Sequence, residues 1–335
     1  MPRTDHDTVR DAIALACRAP SVHNTQPWHW LAGDRSVHLM ADWTRRAPNT
    51  DPDGRDLLIS CGTALHHLTV AFAALGLRAV PTLLPNPAEP EHLAAVTTHP
   101  HEPDTDDIAL VAAVTRRRTD RRRYSSWPVP TAHLDLLVER AAALGALAVP
   151  LADTVQRYRF AHAATAAARG QEADPGYTAE LATWAGRGSS AVEGVPARSI
   201  PVRTTDVDGI PMRAFPAGTL ALSPTGDNED DGSVLLILGT TDDDARARLR
   251  AGQAASAVLL TATDLGLATC PMSQPLETPR YRAEIRDRFL DGAGHPQLVI
   301  RIGYAPTSAH PLPPTPRRPL SDVFAYLPGM APQQR

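Results

Sequence analysis

Apolar residues recur every three or four positions in TVRDAIALACRA (Thr8–Ala19), in DIALVAAVTRR (107–117) and in AHLDLLVERAAALGA (Ala132–Ala146). That spacing puts them on one face of a helix. Two longer stretches, CGTALHHLTVAFAALGLRAVP (Cys61–Pro81) and AGQAASAVLLTATDLGLATCP (Ala251–Pro271), each predict a helix and then a strand. Gly76 and Gly266 stand where a helix ends in a left-handed residue. Strand patterns are WHWLAG, VHLMAD, RAVPTLL, LAAVTTH, LAVPL, VLLILGT and QLVIRIGY. Helices and strands do not alternate regularly, so the pattern predicts an α+β protein with mixed, largely antiparallel sheets covered by helices.

The two longer stretches align without a gap. They share Gly62/Gly252, Ala64/Ala254, Leu75/Leu265, Gly76/Gly266, Leu77/Leu267 and Pro81/Pro271. The small residues early in each helix would admit another backbone or a flat ligand. A single repeat of this kind indicates a duplication rather than a solenoid. The expected division is 1–105 and 106–335, with the polar, proline-bearing HPHEPDTDD (His99–Asp107) at the boundary. Residues 170–232 change character, rich in Gly, Pro, Ser and Asp, and predict a lid-like insertion. Trp184, Met212 and Phe215 within it are read as anchors pinning a long loop, with a pocket role as the alternative. Residues 305–335 are proline-dense and predict an extended C-terminal arm over the surface.

Composition narrows the chemistry. The 335 residues carry a net charge of −4, which does not favour nucleic acid. No lysine occurs, which excludes Schiff-base, phosphate-loop and general-base lysines. Cys17, Cys61 and Cys270 stand far apart in apolar runs, suggesting buried thiols rather than a disulfide framework. The N-terminus lacks an apolar signal core, and no apolar run approaches the roughly 20 residues that span a bilayer. The expectation is a soluble cytoplasmic protein with no membrane partner.

Two polar motifs stand out. APSVHNTQPW (Ala19–Trp28) packs Ser21, His23, Asn24 and Gln26 between regular elements. It is either a turn or a docking loop for something flat and polar. RRRTDRRRY (Arg116–Tyr124) offers guanidinium forks and the Thr119 hydroxyl, a donor set for phosphate. Arg317 and Arg318, in PRRP, could approach it from the arm. No stacking aromatics interleave with the cluster, against RNA. DNEDDG (Asp227–Gly232) imitates the start of a calcium loop, but the twelfth position is Leu238, so it is read as an acidic turn. His66 and His67 would point about 100° apart on a helix and have no companion ligands. No nucleotide-binding glycine fingerprint or nucleophile elbow is present.

PSVHNTQPW resembles the P-S-x-x-N-x-Q-P-W signature of the nitroreductase superfamily of FMN-dependent oxidoreductases. RRTDR (Arg117–Arg121) resembles its R-x-S/T-x-R/K phosphate motif, LGLATCPMSQP its flavin loop, and RIGYAP its last core strand. The order and the duplication most resemble the Acg subfamily, with two nitroreductase-like units in one chain. The resemblance implies one FMN per chain. It would be held between the halves of a pseudo-dimer, because each half carries one complementary motif; the second ancestral site would be lost. Arg117, Thr119 and Arg121 would hold the phosphate, with Arg317 or Arg318 assisting. Ser21, Asn24 and Gln26 would face the ribityl chain and ring, with His23 in the same motif. Pro271, Met272 and Ser273 would run along the ring; Ser273 and Gln274 replace the family's usual acidic residue and glycine. The implied activity is NAD(P)H-dependent reduction of a small nitro, quinone-like or unsaturated substrate, the chemistry residing in the flavin. The alternative is an FMN-storing protein. The expected assembly is a monomer or weak homodimer.

Overall fold

The structure, a computed structural model, describes residues 5–188, 190–202, 210–221 and 231–330. In chain order it runs α1 (His6–Ala16), β1 (Trp28–Ala32), β2 (Ser36–Ala41), α2 (Arg55–Ala74), β3 (Leu77–Leu83), β4 (His92–Pro100) and α3 (Thr105–Arg116). Then come α4 (Thr131–Ala142), β5 (Leu147–Leu151), α5 (Thr154–Glu172), α6 (Pro175–Trp184), β6 (Val234–Thr240) and α7 (Ala245–Asp264). The chain ends with β7 (Ala268–Met272), α8 (Gln274–Glu277), α9 (Pro279–Phe289), β8 (His295–Gly303), α10 (Leu320–Val323) and β9 (Phe324–Tyr326). Local chemistry sets these limits. Asp104 and Asp107 form a reciprocal capping box on α3, and Asp244 caps α7. Gly76 and Gly266 follow α2 and α7 at φ of 83° and 77°.

Two sheets result, of order β3-β4-β2-β1-β9 and β5-β6-β8-β7. Within the first, β1–β2, β2–β4 and β3–β4 are antiparallel. The second matches this order strand for strand, again antiparallel throughout. Each has one register shift on its second strand, at Leu39/Met40 and Leu238/Gly239. The mixed α+β architecture is therefore as the apolar pattern predicts.

The two long helices cross at the centre. A β-carbon on Gly62 would lie 2.2 Å from the Leu249 carbonyl oxygen; one on Gly252 would lie 2.0 Å from that of Ile59. Ile59 and Leu249 occupy the same place in the repeat, so the contact is reciprocal about a local two-fold. His66 and His67 both reach the Ser256 hydroxyl at 2.8 Å across this interface. By length and composition α2 is apolar enough to cross a membrane, contrary to the expectation from the sequence, but it is mostly buried in the protein. It packs with α1, Trp28, Trp30 and Leu39 in one core; α7 packs with β6, β8 and α4 in another.

Three elements depart from the sequence reading. α5 and α6 occupy 154–184, so the insertion begins as helix rather than loop. The apolar face of α5 is mostly alanine, which gives a weak periodic signal. The arm does not merely wrap the surface: β9 joins the first sheet parallel to β1, pairing Trp30 with Phe324 and Ala32 with Tyr326. Most of the acidic turn at 227–232, and parts of the insertion, lie outside the described residues.

Candidate functional site between the two sheets

The loop before β1 is folded tightly onto α2. Thr63 donates to the Pro20 carbonyl at 2.7 Å, the Val22 N–H donates to Ser60 at 3.1 Å, and the Gln26 N–H donates to Ser21 at 2.9 Å. His23, Asn24 and Gln26 all hold left-handed φ of 48–56°. Such residues cost energy unless surroundings hold them, and they concentrate at functional sites. The Asn24 and Gln26 amides turn to other parts of the chain. Asn24 donates to the carbonyls of Gly194 (3.0 Å) and Pro316 (3.2 Å). Gln26 donates to the Val192 carbonyl and accepts from the Arg318 N–H, both at 2.9 Å. These two amides tie the insertion and the arm to the loop.

The arginine motif leaves the C-terminus of α3 and lies along β7, where the Asp120 N–H donates to the Thr269 carbonyl at 2.9 Å. Arg122 forks onto the Asp120 carboxylate at 2.9 and 2.6 Å. Beneath it Arg301, fully buried, stacks 3.9 Å from the Tyr124 ring and donates to the Asp120 and Arg122 carbonyls. Nothing in the sequence reading singled out Arg301, yet it fixes the turn that presents Thr119 and Arg121.

Between loop and motif lies a cavity that opens to solvent, with about 870 Å³ of empty space counted out to its mouth. The loop and α2 give Pro20 to His23, Asp56, Ile59, Ser60 and Thr63. Thr119, Arg121, Leu259, Leu298 and Cys270 to Gln274 give the opposite wall, and Met212, Arg213 and Phe215 enter from the insertion. Met212 and Phe215 are thus pocket residues, not merely loop anchors; Trp184 instead lies under Arg45.

Seven of the twelve residues expected to hold the cofactor line the cavity: Ser21, His23, Thr119, Arg121, Pro271, Met272 and Ser273. Asn24, Gln26, Arg117, Arg317 and Arg318 are not among its lining residues. Asp56, Ser60, Thr63, Arg213 and Cys270 were missed. The first three offered a signal, since polar residues at i, i+4 and i+7 share one face of an otherwise apolar helix.

Electrostatics divides the site. His23 meets the Thr50 hydroxyl at 3.2 Å and the edge of Phe215 at 5.7 Å. Burial, with Arg213 and Arg121 nearby, holds it neutral. Burial also lowers Arg121, whose guanidinium faces Phe215 at 5.0 Å. Arg213 pairs with Glu277 and donates to the Tyr177 hydroxyl. Arg117 is 6% exposed, and its Nε and Nη1 have no hydrogen-bond partner. Burial, then Arg317, Arg118 and Arg18, pushes it down to about 9; no carboxylate is among these influences. Arg317 donates to the Cys17, Arg18 and Ala19 carbonyls, closing the end of α1. Arg318 donates to the Asp322 carbonyl.

Paired antiparallel sheets with long helices crossed between them, and a cavity joining a P-S-x-x-N loop to an R-x-T-x-R turn, define a nitroreductase-type protein. The chain belongs to this family: residues 114–304 match the one described as "Nitroreductase family". A Mycobacterium tuberculosis protein named "Putative NAD(P)H nitroreductase Rv3131" is 46% identical over 96% of this chain and 92% of its own length. Another from that organism, "Putative NAD(P)H nitroreductase acg", is 35% identical over 95% of each. Among solved structures, the FMN and NADPH-dependent nitroreductase NfnB of a sphigopyxis strain is 20% identical. It aligns with 65% of this chain and 98% of that one at a TM-score of 0.41.

Proposed function

We propose that the protein binds one FMN per chain and uses NAD(P)H to reduce a small nitro, quinone-like or otherwise unsaturated organic substrate. The observation that carries this reading is the cavity whose walls come from the Ser21–His23 loop and α2 on one side and from Thr119, Arg121 and β7 on the other. The residues fit the cofactor. Arg117 does not line the cavity, but its two orphaned buried donors among three other arginines are what a phosphate dianion would satisfy. The Ser21, Ser60, Thr63 and Thr119 hydroxyls suit a ribityl chain and polar ring edge. Ile59, Leu259, Met272 and Leu298 suit an aromatic ring system.

FMN, when bound, supplies the two-electron transfer between nicotinamide and substrate. The chain's own contribution is to bind, orient and exclude water. Arg301 and Asp120 hold the turn that aims Thr119 and Arg121 into the cavity. His23, neutral, offers a polar contact without adding charge. We assign residues 1–105 and 106–335 to two duplicated units that share this one site. Arg246, at the place in the repeat that matches Asp56, is exposed and donates to the Leu83 carbonyl at 3.1 Å, so this position does not repeat the buried acid of the first unit. The test is the flavin content of purified protein: one FMN per chain is expected, reduced in both Ser21→Ala and Arg121→Ala. A wild-type FMN content and affinity in either variant refutes the shared site.

A second reading, FMN storage under a closed lid, is favoured by Met212 and Phe215 entering the cavity from the insertion. Anaerobic mixing with NADPH and then NADH separates the two. Rapid loss of flavin absorbance refutes storage; an unchanged spectrum with both coenzymes refutes the NAD(P)H reductase.

A further inference from the structure

The cavity contains a buried carboxyl group that the cofactor reading above does not use. Asp56, in the first turn of α2, is 8% exposed, lines the cavity, and its Oδ2 has no hydrogen-bond partner. It also lines a second, smaller cavity with Asp51, Glu277, Arg55 and the exposed Pro52 and Asp53. Asp56 therefore stands in the wall shared by the main cavity and a smaller one whose lining includes surface residues.

Burial raises both Asp51 and Asp56, and Asp56 the further; the charges around them give the reason. Glu277 is matched by Arg213. Arg55 is turned to Asp243, Gln297 and the Pro296 carbonyl. Asp51 accepts the N–H groups of Asp56 at 3.1 Å and Leu57 at 2.8 Å, at the positive end of α2. Asp56 is left without a cation of its own. Burial first, then Asp51 and Glu277, pushes it well above the usual carboxylate range; Arg55 and the Ser273 hydroxyl oppose this without reversing it. Arg213 also acts on it from the insertion side. Burial and uncompensated like charge both favour the protonated form of a carboxyl so placed.

We propose that Asp56 is the acid that protonates the bound substrate, and that Asp51 and the smaller cavity behind it return the proton from solvent. This rests on the reductase reading above. Two-electron reduction of a quinone or conjugated carbonyl delivers a hydride equivalent, drawn ultimately from NAD(P)H, and leaves an oxyanion on the substrate. The Asp56 Oδ2–H bond breaks as the substrate O–H bond forms, giving a neutral product and the Asp56 carboxylate. One proton from solvent, passed by way of Asp51, restores the acid.

The test compares wild type, Asp56→Asn and Asp56→Glu as full-length, FMN-loaded protein. Infrared spectroscopy at pH 7 should show the carbonyl stretch of an un-ionised carboxyl that is lost in Asp56→Asn. The same band should be present in the flavin-free protein. With 1,4-benzoquinone and NADPH, Asp56→Asn should lose about 100-fold in kcat with KM and FMN content unchanged. Wild-type kcat should fall on the alkaline side as Asp56 ionises; Asp56→Asn should lose that limb and Asp56→Glu restore it. Asp51→Asn should keep the first turnover and slow the later ones. An absent band, or an Asp56→Asn protein with the wild-type rate and pH profile, overturns the proposal. Protein that holds FMN but reduces no quinone overturns the donor role and leaves FMN binding standing. Protein that shows the band but binds no FMN overturns the cofactor reading, and the donor role with it.

Discussion

Substituting Gly252 by alanine should loosen the molecule at its centre. The new β-carbon would sit 2.0 Å from the Ile59 carbonyl oxygen and 2.8 Å from the Gly62 Cα, where ordinary contact begins at 3.4 Å. The obstacle is backbone on a buried helix, so no side chain can swing aside. Relieving it moves α2 and α7 apart by roughly the 1.4 Å between 2.0 and 3.4 Å. Overpacking of this kind costs about 3 kcal/mol at the upper end of its range. Replacing glycine within a helix returns about 1 kcal/mol, leaving a net loss near 2 kcal/mol. The loss should appear as a lower urea midpoint. Flavin content should fall with it, because Ile59, Ser60 and Thr63 of α2 face Leu259 of α7 across the cavity. Gly170→Ala is the control: it lies in α5 with no atom within 4 Å of its β-carbon, so it should gain up to about 1 kcal/mol. A Gly252→Ala protein as stable as wild type would refute the close-approach argument.

Other consequences are equally direct. Arg301→Met should lower the melting temperature sharply, by the equivalent of about 3–5 kcal/mol, since it strands buried polar partners beside Asp231 and Tyr124; an unchanged melt would remove Arg301 from its supporting role. Arg117→Ala should weaken FMN binding by about 10- to 100-fold, the worth of a charged hydrogen bond, measured by flavin fluorescence titration; unchanged affinity would place the phosphate elsewhere. Burial, with Arg140 nearby, holds His66 at about 4 against an ordinary 6.5. The unfolded chain therefore binds its proton first, and stability present above about pH 6.5 is lost as pH falls toward 4, by about 3 kcal/mol in full. His66→Gln should flatten that part of the pH–stability curve, and an identical slope in both proteins would contradict a neutral ring at this half-buried position.

A helix was most visible in the sequence where its buried face is made of large residues, as in α2 with Leu57, Leu65, Leu68 and Phe72. α5 buries Phe160 and a row of alanines, so its period is faint, although Asp153 and Asp174 cap α5 and α6 as recognisable start signals. β9 is three residues long and gains its conformation from β1, nearly three hundred positions away; no local pattern announces it. The two motifs were legible because their residue types are clustered in sequence. Their internal division was not. Asn24 and Gln26 sit beside Ser21 in the chain, but left-handed backbone turns their amides onto Gly194, Val192 and Pro316. Asp56 and Arg213 converge on the cavity from distant segments, and only tertiary packing brings them together.

The final segment, crossing from the end of β8 to β1, changes how the site responds to dilution. A cavity built across two separate chains is present only while those chains stay associated. Here both walls belong to one polypeptide, fastened again by β9 and by the Arg317 contacts to α1. Its assembly is intramolecular, so each wall meets the other at an effective concentration set by the chain that joins them. The same tether frees the matching position across the two-fold from any duty to mirror the site, and an arginine at residue 246 stands there opposite the buried acid at 56.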